Sequence, residues 1–286
     1  MSEYGERDKE PVVITFVIPV RHQDNAADWP ALCHRLSQTM SSIAAQRSAS
    51  WQGIIVANRG ANLPDLPAGF AVREVDFEPN PLHDMKADDK ERVYESFRLD
   101  KGRRVLAGML AAAPTRFFMI VDDDDFVSAN IADFVAKNPD ANGWKIERGW
   151  VWGEGGGLVY AHDAFDRFCG TSLIVRSDLY ALPRSLESAS EEYIKSMLGS
   201  HVRIASVLAD RGAALSPLPF RGAIYRIGHA GAHSKSKGLL STYLFRTEML
   251  RRPLHLLRTI RRLRRLNRKI RNEFFGQAAR GGPAIG

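Results

Sequence analysis

The chain contains 286 residues, 44% of them hydrophobic and 26% charged, which is ordinary for a globular protein with a full core. A mainly disordered chain is therefore excluded, and so is an integral membrane protein, because no run of about eighteen apolar residues is present. Two cysteines, Cys33 and Cys169, are too few for a disulfide framework or a structural zinc site. The charged beginning, MSEYGERDKE, is unlike a signal peptide, so we expect a cytoplasmic protein.

The net charge of +7 is distributed unevenly. Residues 240–286 hold 12 Arg or Lys against two acids, which leaves 28 bases and 31 acids in residues 1–239. A mildly acidic body with a basic appendage follows from these counts. We expect a polar leader at 1–10, a folded domain at 11–239, a basic helical tail at 240–275 and a flexible end at 276–286.

Strands and helices alternate along the first half of the chain. Continuous β-branched runs predict strands buried on both faces, and apolar residues three or four apart predict helices. The predicted elements are strands at 12–20, 53–58, 70–75 and 116–121, helices at 29–47 and 100–114, and a loop at 78–95. This alternation predicts an α/β fold with a mostly parallel sheet flanked by helices, whose ligands lie beyond the carboxyl ends of the strands.

The second half is predicted to add a hairpin over 144–161, a strand within 170–180, a helix at 188–211 and a strand within 220–229. The hairpin tip is the glycine-rich sequence GEGGG, flanked by Trp150 and Trp152. It is predicted either as a lid whose tryptophans stack on a sugar or as a hairpin whose tryptophans pack in the core.

Four consecutive carboxylates, Asp122 to Asp125, follow the strand RFFMIV. They repel one another unless cations or hydrogen bonds compensate, and a divalent cation does so with oxygen ligands. In an extended chain Asp122 and Asp124 share one face, so both could address the same ion. The alternative is a solvated acidic turn that caps a helix starting near Ser128.

Five segments in this order resemble the GT-A fold glycosyltransferases, most closely those of family 2. They are a first strand with V-I-P-V (TFVIPVRH), a Lys-Gly helix (DKGRRVLAGMLAA), the strand with the aspartates (FFMIVDDDDFVSAN), a G-x-x-x-x-x-R segment (GTSLIVRSD) and a closing Y-R-x-x-H (YRIGH). The resemblance implies a GT-A (Rossmann-like) fold over about 12–234. It also implies transfer of a sugar from a nucleotide-sugar donor, with a UDP-sugar favoured, to a polysaccharide or lipid-linked acceptor.

The resemblance also implies roles for individual residues. Mn²⁺ or Mg²⁺ would be bound by Asp122, Asp124 and His229, with Asp125 as a supporting carboxylate and His233 or Ser234 as alternatives to His229. The donor-binding residues would be Pro19, Val20, Arg21, Asn58, Lys101, Arg104, Asp122 and Asp123. A solvated basic helix face explains the Lys101 to Arg104 segment equally well.

Two departures from the family pattern bear on the chemistry. Family members commonly end the second strand with an aspartate that reads the base, whereas this chain has Asn58, so the identity of the base is open. Inverting members place a Glu-Asp pair where this chain has Ser200 and His201. Because imidazole titrates near neutrality, His201 is a candidate general base. Its competitors are Glu191, Glu192, Asp163 and Asp166; inversion is favoured, with retention left open.

The tail carries an apolar stripe between its arginines. The stripe residues recur at intervals of three or four and are Leu250, Leu254, Leu257, Ile260, Leu263, Leu266, Ile270 and Phe274. They predict an amphipathic basic helix, with residues 246–274 on an anionic membrane surface at the cytoplasmic face. The alternatives are packing of the stripe on the catalytic domain and, less favoured, nucleic-acid binding.

Two rival functions follow from the same features. A sugar-phosphate nucleotidyltransferase is disfavoured because its Gly-rich, Arg-containing loop is missing after the first strand. A non-catalytic membrane-binding or nucleic-acid-binding protein would use the arginine-rich helix alone.

Overall fold

The computed structural model describes residues 12–82, 90–228 and 259–276. Its strands are β1 (Ile14–Pro19), β2 (Trp51–Asn58), β3 (Phe70–Val75), β4 (Phe117–Ile120), β5 (Phe126–Val127), β6 (Gly143–Lys145), β7 (Gly149–Gly153), β8 (Leu158–His162), β9 (Leu173–Arg176), β10 (Ser216–Pro217), β11 (Ala223–Ile227) and β12 (Leu263–Arg265). Its helices are α1 (Trp29–Ala44), α2 (Lys90–Ala111), α3 (Ile131–Ala136), α4 (Glu191–Tyr193), α5 (His201–Asp210) and α6 (Arg268–Phe274). Within those ranges no helix is both long and apolar enough to cross a bilayer.

The central sheet has seven strands in the order β10-β6-β9-β4-β1-β2-β3. β1 pairs in parallel with both β2 and β4, and β9 is antiparallel to both β4 and β6. The predicted α/β fold with a mostly parallel sheet flanked by helices is therefore confirmed. The chain leaves β1 toward β2 and β3 on one side and returns to β4 on the other, so the crevice between β1 and β4 is the switch point where such sheets bind ligands.

Helices cover both faces of this sheet. Alternate residues of β1 point to opposite faces: Phe16 and Ile18 join the cluster that includes Leu36 and Met40 of α1, whereas Val17 joins the cluster that includes Val105 of α2. All six residues of β1 are buried. Burial on both faces is why the sequence of this strand is continuously apolar rather than alternating.

A second sheet of five strands, β12-β8-β7-β11-β5, stands beside the first. β7 and β8 pair antiparallel, which confirms a hairpin over 149–162, whereas residues 144–145 of the predicted hairpin belong to β6 of the central sheet. β5 belongs to this second sheet and begins directly after the aspartates, so the aspartate run links the two sheets.

Two predicted elements differ from the structure. The helix predicted at 188–211 is two helices, because α4 continues as a π-helical turn (Ile194–Leu198) and the chain then restarts at α5. A Cβ on Gly199 would lie 2.3 Å from the carbonyl oxygen of Arg98, so the break is where the chain closely approaches α2. The loop predicted at 78–95 gives way to α2 from Lys90, where Glu91 and Arg98 form an ion pair.

The basic tail is not one continuous helix in the part that the structure describes. Leu263–Arg265 pairs with β8 as β12, which separates a helical turn at 259–262 from α6 at Arg268–Phe274. The stripe residues Leu266, Ile270 and Phe274 are buried against the second sheet, in a cluster that contains Phe126 and Trp152. The prediction of a single helix was wrong here, because strand pairing with β8 and packing against the second sheet outweigh the local helical pattern. Residues 240–258 of the predicted tail lie outside the described residues.

Candidate functional site

A cavity of ≈ 150 Å³ opens at the switch point, where β1 and β4 end. Its lining combines carboxylates, basic side chains and aromatic rings, namely Pro19, Arg21, Phe97, Asp100, Lys101, Arg104, Asp122, Asp123, Asp124 and Tyr225. The strand order brings these segments together, because β1 and β4 are neighbours and α2 packs against β1. The predicted donor-binding residues Pro19, Arg21, Lys101, Arg104, Asp122 and Asp123 all belong to this lining.

The aspartates form a turn rather than an extended strand end. The ladder with β1 ends where Val121 N donates to Val17 O, and Asp125 N then donates to Asp122 O at 3.2 Å. The amide of Asp122 donates to Thr171 Oγ1 at 2.9 Å. As a result Asp122, Asp123 and Asp124 all line the cavity, whereas extended geometry predicted that only the first and third share a face. The aspartates do not cap α3, whose N-cap residue is Asn130.

Asp122 forms an ion pair with Lys101. Burial by itself lowers the pKa of Lys101, but the adjacent Asp122 carboxylate outweighs burial and the pKa is raised. Gly170 leaves room for this pair, since a Cβ there would lie 2.6 Å from Asp122 Oδ2 and 2.8 Å from Lys101 Nζ. The glycine of the GTSLIVRSD segment therefore serves the site through its lack of a side chain.

Asp123 and Asp125 are buried. Burial raises the pKa of Asp123 to about 6, with Arg21 opposing the rise. Burial also raises the pKa of Asp125 well above its usual range. Cys169 Sγ donates to Asp125 Oδ2 at 3.2 Å, and the amide of Arg226 donates to Asp125 Oδ1 at 3.2 Å. Asp125 thus connects the aspartate turn to β11.

Arg226 belongs to the Y-R-x-x-H segment, and the sequence alone predicted no role for its positive charge. It is fully buried, with its guanidinium 4.6 Å from the ring centre of Phe126 and 5.5 Å from that of Trp152. Glu154 at the hairpin tip accepts a hydrogen bond from Nη1 at 3.2 Å. Asp124 and Glu154 attract its charge, although burial lowers the pKa of Arg226. The buried positive charge of Arg226 therefore reduces the repulsion among the carboxylates of the acidic turn.

Asn58 does not line the cavity. Its amide oxygen accepts a hydrogen bond from Arg104 Nη1 at 2.7 Å, and its amide nitrogen donates to the carbonyl of Phe77 at 2.6 Å. Both ends of the side chain are thus engaged within the protein. Val20 also contributes no side chain to the cavity, because it is fully buried in the core.

His201, the candidate base, begins α5 behind the Lys101 to Asp122 pair. Burial, and next the charge of Lys101, lower the pKa of His201, with Asp122 opposing the change. Its Nε2 is buried and has no hydrogen-bond partner among the described residues. A second cavity, of ≈ 20 Å³, is lined by His201, Lys101 and Gly170, so Lys101 separates the histidine from the larger cavity.

Of the other candidate bases, Asp166 is close enough to His201 to oppose the lowering of its pKa but lines neither cavity, and the remaining three lie elsewhere. Glu191 and Glu192 are exposed at the start of α4, and Glu191 lies 3.5 Å from Lys195. Asp163 pairs with Arg221 and Arg262, at 3.1 and 3.2 Å. None of these carboxylates belongs to the lining of either cavity.

The tryptophans of the predicted lid pack inside the protein. Trp152 contacts Phe126 and Phe275 edge to face, and its indole nitrogen donates to Gly156 O at 2.8 Å. Trp150 lies under the guanidinium of Arg221, 4.6 Å from its ring centre. Of the two interpretations of the hairpin, core packing fits Trp152, whereas Trp150 is half-buried and packs against the same cluster beside Arg221.

The carboxylates suit a divalent cation that shares its coordination with a ligand. Asp122 and Asp124 line the same cavity, and Mg²⁺ commonly takes one or two carboxylates together with phosphate oxygens and water. Among the described residues no group of three His, Cys, Asp or Glu side chains could bind one ion. His229, the third predicted ligand, lies outside the described residues, as do His233 and Ser234.

Several cavity residues were missed by sequence reasoning. Phe97, Asp100 and Tyr225 line the cavity, and Thr171 orients Asp122. Asp100 could have been predicted from the sequence, because it precedes Lys101 and lies one helical turn before Arg104, where an ion pair can form. Phe97 and Tyr225 had no such signal, since their positions depend on how α2 and β11 pack.

Fold and cavity together define an α/β protein with a mostly parallel central sheet and an acidic and basic cavity at its switch point. No protein-family model matches the chain, and no curated protein matches it in sequence.

Among solved structures, the chain is similar to S. aureus TarS, with 12% identity and a TM-score of 0.40 over 76% of this chain and 37% of that one. It is also similar to TarS 1–349, with 11% identity and a TM-score of 0.38 over 86% and 79% of the two chains. A third similar structure is Rv0371C in complex with manganese from Mycobacterium tuberculosis H37Rv, with 11% identity and a TM-score of 0.35 over 76% and 92%. The chain spans 37% of the length of the first of these, and the likenesses concern the fold alone.

Proposed function

We propose that this protein is a metal-dependent glycosyltransferase that uses a nucleotide-diphosphate sugar, with a UDP-sugar favoured. The observation that carries the proposal is the convergence of Asp122, Asp124, Arg21 and Lys101 on one cavity at the switch point. Carboxylates bind a divalent cation, and basic side chains meet phosphate charge. A nucleoside diphosphate with its cation is a ligand class that uses both kinds of side chain at once.

In the proposed reaction, an acceptor hydroxyl oxygen bonds to the anomeric carbon as the bond from that carbon to the diphosphate oxygen breaks. Arg21 and Lys101 would stabilise the negative charge that develops on the leaving diphosphate. A bound Mn²⁺ or Mg²⁺ would supply Lewis-acid stabilisation of the same charge. Asp122 and Asp124 would hold the ion. For this, Lys101 would leave its ion pair with Asp122 and turn toward the phosphate groups.

His201 is the proposed general base, and inversion the proposed stereochemistry. A pKa below the ordinary value of 6.5 keeps the imidazole neutral at pH 7, so that Nε2 can accept the proton of the acceptor hydroxyl. For this, Lys101 must move aside, because it lies between the histidine and the main cavity. The same displacement of Lys101 would accompany donor binding.

The proposed acceptor is a glycan or lipid-linked sugar at the cytoplasmic face of a membrane. Support comes from the tail, where Arg264, Arg265, Arg268 and Lys269 are exposed while the apolar stripe residues beside them are buried. Association would therefore rely on charge attraction to anionic headgroups.

The test is binding and turnover of a panel of nucleotide sugars with Mn²⁺, Mg²⁺ or EDTA, in the wild type, Asp124→Ala and Asp140→Ala. Asp140 is a matched control, because its carboxylate is 97% exposed and it does not line the cavity. We expect one donor to bind only with metal, and Asp124→Ala to abolish turnover while Asp140→Ala does not. If no nucleotide sugar binds under any condition, the transferase proposal is wrong and the arginine-rich tail becomes the main indication of function.

A further inference from the structure

Asn58 at the end of β2 cannot read a nucleobase in this protein. Its side chain is only 6% exposed, its oxygen accepts from Arg104, and its nitrogen donates to Phe77 O. A base would have to break two short internal hydrogen bonds to use this amide, and each buried group left unpaired would cost about 1–3 kcal/mol. If the cavity binds a nucleotide, its base must be recognised by other side chains.

Arg104 and Asp100 occupy the part of the cavity next to Asn58. Arg104 is 1% exposed and lines the cavity, yet its Nη2 makes no hydrogen bond with any described residue. Nη2 lies 3.1 Å from Asp100 Oδ1, outside hydrogen-bond geometry, because Asp100 is bonded through Nε instead, at 3.2 Å to each oxygen. The ion pair with Asp100 compensates the charge of Nη2, but its N–H groups make no directed hydrogen bond, which a ligand carbonyl could complete.

The pair presents a donor beside an acceptor. The second N–H of Arg104 can donate, and each oxygen of Asp100 has a further lone pair, with 23% of that side chain exposed. The two charges cancel, so the pair suits an uncharged ligand edge better than a phosphate group. Phe97 lines the same cavity and adds an aromatic surface suited to a flat ring.

We propose that Asp100 and Arg104 of α2, rather than the end of β2, determine the base specificity of the nucleotide donor. The proposal rests on the proposed function. The chemistry selected is a ring N–H next to a ring carbonyl, with the N–H donating to Asp100 and the carbonyl accepting from Arg104. Uracil and guanine present that edge; adenine and cytosine do not.

The experiment is titration calorimetry of UDP, GDP, CDP, ADP and pyrophosphate in Mg²⁺ against the wild type, Asp100→Asn and Asp133→Asn. Asp133 of α3 is the matched control, because it forms an i,i+4 ion pair with Lys137 and does not line the cavity. We expect UDP or GDP to bind more tightly than ADP, CDP and pyrophosphate, and the tighter of the two identifies the base. Asp100→Asn should weaken that ligand about ten- to hundredfold and leave pyrophosphate within about twofold, since one charge-assisted hydrogen bond is lost. Asp133→Asn should change neither.

A merely structural role for the Asp100 to Arg104 pair predicts a different result, namely equal loss of affinity for UDP, GDP and pyrophosphate together with a lower melting temperature. That result, or unchanged UDP and GDP affinities in Asp100→Asn, would overturn the assignment while leaving the transferase proposal intact. If the wild type binds none of the nucleotides and no pyrophosphate, both the assignment of the base-reading pair and the transferase proposal are wrong. If Asp100→Asn does not fold, Asp100→Glu keeps the charge and moves the carboxylate by one methylene, and the same base-selective loss is expected.

Discussion

At the scale of single residues, the Asp123 carboxyl makes the stability of the folded protein depend on pH. It is 8% exposed, and burial raises its pKa from 3.8 in an unfolded chain to about 6 in the folded protein. A carboxyl group with a raised pKa binds its proton more tightly when the protein is folded. Its contribution to stability is therefore fully present below about pH 4 and is lost as the pH rises to about 6.

Asp123→Asn removes this pH dependence because an amide does not ionise. Relative to the wild type, the variant should gain about 2–3 kcal/mol in free energy of unfolding between pH 4 and 7, at about 1.4 kcal/mol per pKa unit. Urea unfolding at a series of pH values measures the gain. Asp140→Asn, at a 97% exposed side chain, should follow the wild-type profile. A parallel pH profile for Asp123→Asn and the wild type would mean that the Asp123 carboxyl titrates normally.

The sequence could predict which residue types gather at the site but not how they pair. Four adjacent carboxylates after a buried strand of a predicted α/β sheet indicate a ligand edge, with a solvated acidic turn as the alternative. The bond between Asn58 and Arg104 joins residues separated by 46 positions, and the stacking of Arg226 depends on strands β5 and β7. Such contacts are set by tertiary packing, which local patterns do not encode.

At the scale of secondary structure elements, α6 is part of the folded core. Ile270 and Phe274 pack into the second sheet, and Ser128 Oγ and Asn130 Nδ2 donate to Glu273 Oε1 at 2.7 and 3.1 Å. The amide of Leu266 donates to Gly157 O at 2.9 Å, which attaches the tail to the hairpin tip. The apolar stripe therefore stabilises the domain itself.

Ile270→Ala tests this role of the stripe. Removing a side chain that is only 8% exposed should lower the free energy of unfolding by about 2–5 kcal/mol, because it leaves a cavity in the cluster. Ile260→Ala is the matched control on the same tail, at a residue that is 49% exposed, and should cost under about 0.5 kcal/mol. Equal effects of the two substitutions in chemical unfolding would show that α6 does not pack as the structure has it.

Element by element, the buried strands were the most predictable. The run predicted at 12–20 contains β1, where burial on both faces forces an apolar sequence. The run predicted at 70–75 coincides with β3, although four of its six residues are exposed. The tail was predicted less well because β12 has arginines at two of its three positions and pairs with β8 through its backbone. An arginine-rich strand at a sheet edge has no periodic signal of its own.

At the scale of the whole molecule, the tail gives one side of the second sheet a positive surface. Arg265, Arg268 and Lys269 are exposed while Leu266 and Ile270 beside them are buried. An amphipathic helix held by its apolar face would bind neutral as well as anionic bilayers. Because Leu266, Ile270 and Phe274 are buried, the part of the tail around α6 offers charge rather than an apolar face for membrane contact.

We therefore expect the protein to bind vesicles that contain anionic lipid, to leave neutral vesicles unbound and to dissociate as salt is raised toward 1 M, where the Debye length falls to about 3 Å. Replacing Arg265, Arg268 and Lys269 together by Gln should weaken binding by about 3 kcal/mol, at about 1 kcal/mol per basic residue near the surface. Vesicle co-sedimentation over a range of salt concentrations measures this.

The matched control is a triple Gln variant at Arg59, Arg116 and Lys137, whose side chains are 69%, 48% and 70% exposed and lie outside the tail. Both variants lose three positive charges, so any difference between them reports position rather than net charge. If the two lose affinity equally, attraction is spread over the whole surface and the tail has no special part in it. If binding survives 1 M salt and extends to neutral vesicles, apolar insertion is at work, and it must involve segments other than the buried stripe of α6.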